Sequence, residues 1–344
     1  MVGEFIKNNE LLKSHFNTRY INSSSSRNIN ELGKASLKKL IIYTHILYQT
    51  ISALIIFRPY LCYIALSAKG VAFYKDCVMI LLFKLFCKKT VLHFHNKGVA
   101  KYQDRWIDDK LYKFVFRDSK VILLSNRLYR DISKYVNKQN VLICPNGIPI
   151  EAQNENIKAE NSTLKLLFLS NMMKAKGVYD LLEACVILKQ KSYNFRCDFV
   201  GKWADITEAS FLNHVNECQI DDIVEAHGAK YGEDKSDYFN NTDIFIFPTF
   251  YENECFPLVL LEAMQNGLPI VTTNEGGIPD IVDDGITGFI VEKQNPELLA
   301  NKIEELILKP ELRKKMGEAG KQKFEKQYTL EHFERRMCEI LEII

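Results

Sequence analysis

Short apolar runs alternate along the chain with longer stretches in which apolar residues recur at helical spacing. The short runs predict strands, and the longer stretches predict helices, for example over residues 178–189 and 297–308. Alternation of this kind is typical of parallel sheets covered by helices on both faces. The predicted strands form two series, residues 16–21, 60–66, 90–94, 121–124 and 141–143, and then residues 164–169, 195–200, 224–226, 244–247, 270–273 and 289–291.

A polar stretch joins the two series. Residues 144–163, "CPNGIPIEAQNENIKAENST", are rich in Asn, Glu and Pro-Gly punctuation, which indicates a linker. A chain of 344 residues is also long for a single core. We therefore expect two doubly wound α/β domains, residues 1–150 and 151–325, and a C-terminal helix over 326–344. Parallel sheets bind ligands beyond the carboxyl ends of their strands, so the ligand is expected in the cleft between the domains.

The charge is distributed unevenly. Residues 1–150 carry 24 Lys and Arg against nine Asp and Glu, and the remainder carries 21 against 34. Such an imbalance favours an anionic partner for the first domain, either a nucleic acid or a phospholipid surface. No compact basic block is interleaved with aromatic residues, which argues against a nucleic acid.

The most apolar stretch covers residues 46–67 and approaches membrane-spanning length. Arg58 and Pro59 divide it, so the sequence predicts a helix that ends near Phe57, a buried strand after it, and no transmembrane segment.

Cysteine and carboxylate spacing give no metal site. The nine cysteines are scattered without a C-x-x-C pair, which is typical of free thiols in a reducing cytosol. No D-x-D triplet is present either. We expect neither a metal nor another cofactor.

Residues 250–280, "FYENECFPLVLLEAMQNGLPIVTTNEGGIPD", place a helix between two carboxylates. Glu254 follows a predicted buried strand, and Pro257 suits the first turn of a helix that ends at Gly267. The free amides at the start of such a helix favour a phosphate group. Glu262 would lie about one turn into the helix.

Residues 243–292 as a whole resemble the nucleotide-sugar site of the retaining glycosyltransferases of family 4, which have the GT-B fold. By this resemblance Glu254 lies near the donor sugar and Glu262 hydrogen-bonds the ribose. The residues between them, Phe256, Pro257, Leu258 and Val259, offer backbone amides to the donor.

Two further stretches extend the resemblance. "LLFLSNMMKAKGVYDLLEA", residues 166–184, is similar to the start of the family's second domain, where an arginine and a lysine neutralise the diphosphate. Lys176 matches the lysine, and Asn171 stands at the arginine position. In "VLHFHNKG", residues 91–98, His95 matches a histidine that faces the donor sugar, and His93 is expected in the core.

The resemblance is looser at the start of the chain. Family members open with a strand and a Gly-rich loop, and "MVGEFIKNNELL" resembles the helix after that loop, so the first strand of the N-terminal domain is expected to be missing.

The resemblance implies an enzyme that transfers a hexosyl or N-acetylhexosaminyl group with retention of configuration. The expected donor is a UDP- or GDP-sugar, and the expected acceptor is a glycan, free or linked to a lipid diphosphate, in surface polysaccharide synthesis. The expected location is the cytoplasmic face of the plasma membrane, against its anionic surface. A nucleotide-sugar epimerase of the same fold and a non-catalytic sugar-nucleotide binder remain alternatives.

Overall fold

The computed structural model describes residues 2–23, 37–86, 88–151 and 163–344. They form two compact units. The first consists of Met1–Pro145 together with Glu334–Ile344, and the second of Asn146–Phe333. The divisions therefore fall five residues before the expected boundary at 150 and eight residues after the one at 325.

The first unit contains a parallel four-stranded sheet. Its strands lie in the order β1-β2-β3-β4. In β2 the residues from Thr90 to Phe94 are all buried, because the sheet is covered on both faces. The strands are β1 (Leu61–Leu66), β2 (Lys89–Phe94), β3 (Ser119–Leu123) and β4 (Val141–Ile143).

Six helices lie in the described residues before Pro145. The third continues as a single turn of π-helix, Ala53–Phe57, and ends at Arg58, whose backbone is left-handed with φ of 50°. Helical backbone is disfavoured before a proline, and Pro59 follows, so the predicted helix end near Phe57 is confirmed. The helices are α1 (Val2–Asn8), α2 (Glu10–His15), α3 (Leu37–Ser52), α4 (Gly70–Leu85), α5 (Val99–Tyr102) and α6 (Trp106–Phe116).

The predicted strand over residues 16–21 is wrong. These residues are irregular, and residues 17–20 are exposed. A strand needs a neighbour for its backbone N–H and C=O groups, and β1 pairs only with β2 in the part of the chain that the structure describes.

The second unit contains a parallel six-stranded sheet in the order β10-β9-β8-β5-β6-β7. The chain builds outward from β5 in one direction and then from β8 in the other, so the topological switch point lies between β5 and β8. Ligands of doubly wound sheets bind beyond the carboxyl ends of the strands at this point. The strands, all of them predicted, are β5 (Leu164–Leu169), β6 (Phe195–Val200), β7 (Val224–Ala226), β8 (Ile244–Phe247), β9 (Ile270–Thr273) and β10 (Gly288–Val291).

Helices cover this sheet and enclose its core. The core includes the fully buried rings of Phe168, Phe195 and Phe199. A last helix, α14 (Leu330–Glu342), begins in the second unit and has most of its residues in the first. The other helices are α7 (Val178–Gln190), α8 (Glu208–Glu217), α9 (Gly232–Asn240), α10 (Leu258–Gln265), α11 (Ile278–Ile281), α12 (Pro296–Leu308) and α13 (Pro310–Gln327).

The helical stretch Leu40–Phe57 is apolar on two faces. Ile46, Thr50, Ala53 and Leu54 are buried on the face toward α4, and Thr50 contacts Met79 of that helix. The outward face carries a stripe of exposed apolar residues, Ile41, Tyr48, Ile51, Ile55 and Ile56. Only 22% of the stretch is buried, and it is long and apolar enough to cross a membrane by length and composition.

By their apolar character Phe57, Tyr60 and Trp106 are expected in the core, and this expectation is wrong for two of them. Tyr60 is 71% exposed and Trp106 is 70% exposed, and Phe57 is half-buried. Each exposed ring has a lysine close to it, Lys89 at 4.5 Å from the Tyr60 centroid and Lys110 at 4.1 Å from that of Trp106. An amphipathic ring with a cation beside it is stable at a surface, so apolar composition alone did not determine burial.

Candidate active site

The loops that follow β5 and β8 are joined at the switch point of the second sheet. Phe250 N–H donates to the Ala175 carbonyl at 2.9 Å. Gly177 has φ of 80°, and a Cβ there would lie 2.2 Å from the carbonyl oxygen of Pro248. Only glycine allows this left-handed turn and this close approach, so the loop that carries Lys176 is fixed against the end of β8.

The joined loops bring Lys176 and Glu254 together. The Lys176 ammonium donates a hydrogen bond to Glu254 Oε2, and each side chain is only 12% exposed. The ammonium also lies 4.8 Å from the Tyr251 ring centroid and 5.3 Å from that of Phe247. The residues that the resemblance assigns to diphosphate and sugar thus meet at the point where a doubly wound sheet binds its ligand.

Helix α10 begins at Leu258, four residues after Glu254, with unpaired backbone donors. Pro257 is the N-cap residue and provides no side-chain cap. The N–H groups of Leu258 and Val259 have no acceptor among the described residues. The Phe256 side chain is buried, with its ring 5.8 Å from that of Tyr328, so Phe256 can offer only its backbone to a ligand. The positive end of the helix dipole and these two free amides suit an anion.

The glycine pair after β9 packs against the backbone of the loop that carries Glu254. Gly277 N–H donates to the Cys255 carbonyl at 2.7 Å. Gly276 has φ of 54°, and a Cβ there would lie 2.2 Å from the Glu254 carbonyl oxygen. The Gly-Gly sequence is therefore required by close backbone packing, which fixes the position of the Glu254 backbone.

Glu262 lies on α10 and contacts a residue that the sequence analysis did not identify. Its Oε1 accepts a hydrogen bond from Lys235 of α9 at 2.5 Å, and its side chain is 19% exposed. Oε2 is buried and has no partner among the described residues. Burial raises the pKa of Glu262, the charge of Lys235 opposes that shift, and Glu151 adds to it. Glu262 is therefore a buried acceptor with one free oxygen.

In the described residues, no hydrogen bond joins the Asn171 side chain to Lys176 or Glu254. Asn171 is exposed just beyond β5. Lys174, the other cation in the loop, is also exposed, and its backbone N–H donates to Asp205 at 3.0 Å. Of the two lysines in this loop, Lys176 is the one that the structure brings next to an assigned residue.

His93 and His95 lie at the carboxyl end of β2 in the first unit, on one side of the strand, with ring centroids 4.1 Å apart. A hydrogen bond of 2.7 Å joins the Tyr63 hydroxyl and His93 Nδ1. His93 Nε2 and both ring nitrogens of His95 are buried without a partner in the described part of the chain. Burial lowers the pKa of both imidazoles, that of His95 to about 4. His93 is in the core, as expected. Both rings are uncharged at neutral pH, so each has one nitrogen that donates a hydrogen bond and one that accepts.

Glu275 is another buried glutamate near the site, and it was not predicted. Glu275 is 6% exposed, and it accepts hydrogen bonds from Lys293 at 2.5 Å and from Gly276 N–H at 3.0 Å. Its place immediately before the glycine pair was the one available signal. Lys235 had no such signal, because it lies in an acidic, polar helix that reads as a solvated surface.

Two groups of side chains in the described residues have the spacing of metal ligands. One is His15, Cys338 and Glu342 in the first unit, and the other is Asp198, Glu225 and His227 in the second. His227 Nε2 is already hydrogen-bonded to Asp198 Oδ1 at 2.7 Å. Neither group contains a residue assigned to the donor.

Known proteins resemble the chain in sequence and fold. Residues 149–323 match the family described as "Glycosyl transferases group 1". The capsular polysaccharide biosynthesis glycosyltransferase CapM of Staphylococcus aureus is 30% identical over 67% of this chain and 62% of its own. The amylovoran biosynthesis glycosyltransferase AmsK of Erwinia amylovora is 27% identical over 75% of this chain and 65% of its own.

The solved structure of Anabaena HepE in complex with UDP has a TM-score of 0.73 at 15% identity, and the match covers 87% of this chain and 82% of that one. The likeness confirms the GT-B fold that the sequence predicted. The chain spans less than two thirds of the length of the two sequence relatives named above. The family match covers more than half of the chain, and the chain belongs to the group 1 glycosyltransferases.

Proposed function

We propose that this protein transfers a sugar from a nucleotide-diphosphate donor to a glycan or lipid-linked acceptor, with retention of anomeric configuration, in surface polysaccharide synthesis. The observation that carries the proposal is the contact between Lys176 and Glu254 at the β5/β8 switch point, beside the free amides of α10. The names of CapM and AmsK, which place them in capsule and amylovoran synthesis, support the pathway class.

The proposed chemistry relies on fixed charges. As the bond between the anomeric carbon and the diphosphate breaks, negative charge develops on the leaving oxygen. Lys176 and the amides of Leu258 and Val259 are proposed to stabilise this charge, because preorganised donors need no rearrangement during the reaction. The acceptor hydroxyl forms the new bond on the same face of the sugar, and its proton passes to the departing phosphate. Glu254 is proposed to orient the sugar.

The proposed donor is a UDP- or GDP-sugar carrying a hexosyl or N-acetylhexosaminyl group. HepE, whose structure is similar, was solved with UDP. Glu262 is proposed to bind the ribose, since its Oε2 is a buried acceptor with no partner among the described residues.

An anionic membrane surface is proposed as the partner of the first unit, at the cytoplasmic face of the plasma membrane. Residues 1–150 carry a large excess of basic residues. The stripe of exposed apolar residues on the helical stretch Leu40–Phe57 supplies an apolar surface. The exposed rings of Tyr60 and Trp106, each with a lysine beside it, suit the headgroup region. A surface helix that packs against α4 fits an in-plane position better than a membrane crossing.

Incubation of the purified protein with radiolabelled UDP- and GDP-sugars and a lipid extract tests the proposal. A labelled glycolipid or glycan is expected, and its linkage should have the anomeric configuration of the donor. An epimerised nucleotide sugar would identify the protein as an epimerase. Binding of the nucleotide sugar without any product would leave a non-catalytic binder.

A further inference from the structure

Lys235 and Glu262 form a contact between two neighbouring helices, α9 and α10. The ammonium of Lys235 lies 2.5 Å from Glu262 Oε1, and the two side chains are 26% and 19% exposed. The side-chain amide of Asn266, the C-cap residue of α10, donates to the backbone carbonyl of Glu262 and not to its carboxylate. The carboxylate is therefore held by one of its two oxygens, and the other is buried with no partner in the described part of the chain.

The groups around Glu262 show why Lys235 is important for keeping its carboxyl ionised. Burial opposes ionisation of this carboxyl, and Glu151 on the linker side opposes it further. Glu151 is itself hydrogen-bonded by Ser236 of α9 at 2.7 Å. Lys235 is the group that favours the ionised form. The ionised form is the acceptor that a hydroxyl group needs, because a carboxylate oxygen accepts strong hydrogen bonds and donates none.

We propose that Lys235 is a positioning residue for donor binding, which fixes and charges the Glu262 carboxylate through Oε1 so that Oε2 accepts from a ribose hydroxyl. The inference rests on the proposed function and assigns to it a residue outside the resemblance. Lys235 does not touch the nucleotide in this arrangement. Its effect should therefore depend on whether the nucleotide carries ribose hydroxyls.

The test compares UDP and GDP with their 2′,3′-dideoxy forms by calorimetric titration. Loss of a hydrogen bond to a charged group should weaken wild-type binding by about tenfold in the dideoxy form. Lys235→Met should bind the ribonucleotide about tenfold more weakly than wild type and should barely distinguish the two forms. Lys235→Arg should restore the discrimination, because it keeps the charge.

Lys191→Met is the matched control. Lys191 pairs with Glu304 at 2.6 Å, and Glu304 is 20% exposed, so the control removes a similar ion pair elsewhere in the same unit. This control should leave the affinities for the ribonucleotide and for its dideoxy form unchanged. If Lys235→Met melts well below wild type, Lys235→Gln provides a polar substitute of similar reach for the same titration.

The outcomes separate the two claims. Binding by wild type, with discrimination undiminished in Lys235→Met and Lys235→Gln, overturns the role of Lys235 and leaves the proposed function standing. No binding of either nucleotide by wild type overturns the proposed function and the inference together.

Discussion

Lys176 donates a hydrogen bond to Glu254 across the β5/β8 switch point, and each side chain is 12% exposed. A lysine paired in this way is stabilised by its carboxylate and by the rings of Tyr251 and Phe247. A diphosphate that binds Lys176 must therefore compete with Glu254 for the ammonium, or bridge the two. The pair holds a partly buried cation at a fixed position.

Glu254→Gln should lower turnover much more than nucleotide affinity. The amide keeps the shape of the side chain and removes the charge that holds Lys176, so the lysine becomes freer to bind the diphosphate.

Lys176→Met should weaken UDP or GDP binding by about tenfold, since a hydrogen bond to a charged group is lost. Titration calorimetry and initial rates measure the two effects. Lys174→Met, in the same loop but exposed, is the control. Negligible effects of both changes on binding and rate would remove the assignment.

The strands of the second unit followed from the sequence because they depend on local pattern. The roles proposed for Lys176 and Glu254 came from the resemblance, and the contact between the two side chains was not predicted. Apolar runs determine the strands, and parallel sheets collect their carboxyl ends at one edge. The contact of Lys235 with Glu262 did not follow, because it joins side chains from two helices and leaves no periodic signal. Residues 16–21 look like a strand, but a strand also needs a neighbour, and no property of the segment itself reveals one.

Gly276→Ala should destabilise the second unit and displace the Glu254 loop. The substitution imposes a left-handed backbone on alanine and an overlap with the Glu254 carbonyl, which together should cost roughly 3 kcal/mol. Gly285→Ala is the control, because Gly285 has φ of 75° but open space around its Cβ position. It should cost about 1 kcal/mol from backbone strain alone. Urea unfolding measures both, and equal costs would show that the packing against Glu254 contributes nothing.

Acid should destabilise the first unit through its buried histidines. Burial lowers the pKa of His95 to about 4, whereas an unfolded histidine titrates near pH 6.5, at about its ordinary value. As pH falls below 6.5 the unfolded chain therefore binds a proton that the folded chain does not, and stability falls. For His95 alone the loss should reach about 2 kcal/mol at pH 5 relative to pH 7.5.

His95→Asn should reduce the loss between pH 7.5 and pH 5, and His45→Asn, at an exposed helix position, should leave it unchanged. Urea midpoints at the two pH values measure the difference. An identical pH dependence of stability in wild type and His95→Asn would contradict the prediction.

Transfer should not need a divalent metal. Lys176 and the free amides of α10 supply positive charge for the leaving diphosphate, and none of the carboxylates assigned to the donor belongs to a group with ligand spacing in the described residues. Activity should survive EDTA. His227→Ala, which removes a member of the metal-spaced group in the second unit, should also remain active. Loss of activity on chelation, with recovery in manganese or magnesium, would show that a cation takes part.

The basic, partly apolar surface of the first unit should bind anionic vesicles. Each Lys or Arg near such a surface contributes about 1 kcal/mol, and the contribution falls off within a Debye length. Binding should therefore be strong on vesicles containing anionic lipid, weak on neutral ones, and reversed by salt. Co-sedimentation measures all three.

Substitutions on the outward face of the helical stretch Leu40–Phe57 distinguish insertion of apolar side chains into the bilayer from attraction between charges. Ile56 is 75% exposed there, so Ile56→Glu should weaken binding to anionic vesicles with little effect on folding. Ile286→Glu, in the second unit at a position 61% exposed, adds the same charge away from this face and should bind as wild type does. If both variants bind equally, charge alone holds the protein to the bilayer and the apolar stripe has another partner. Equal partitioning of the wild type onto neutral and anionic vesicles, or none onto either, would favour a soluble acceptor, because the basic excess would then have no role at a membrane.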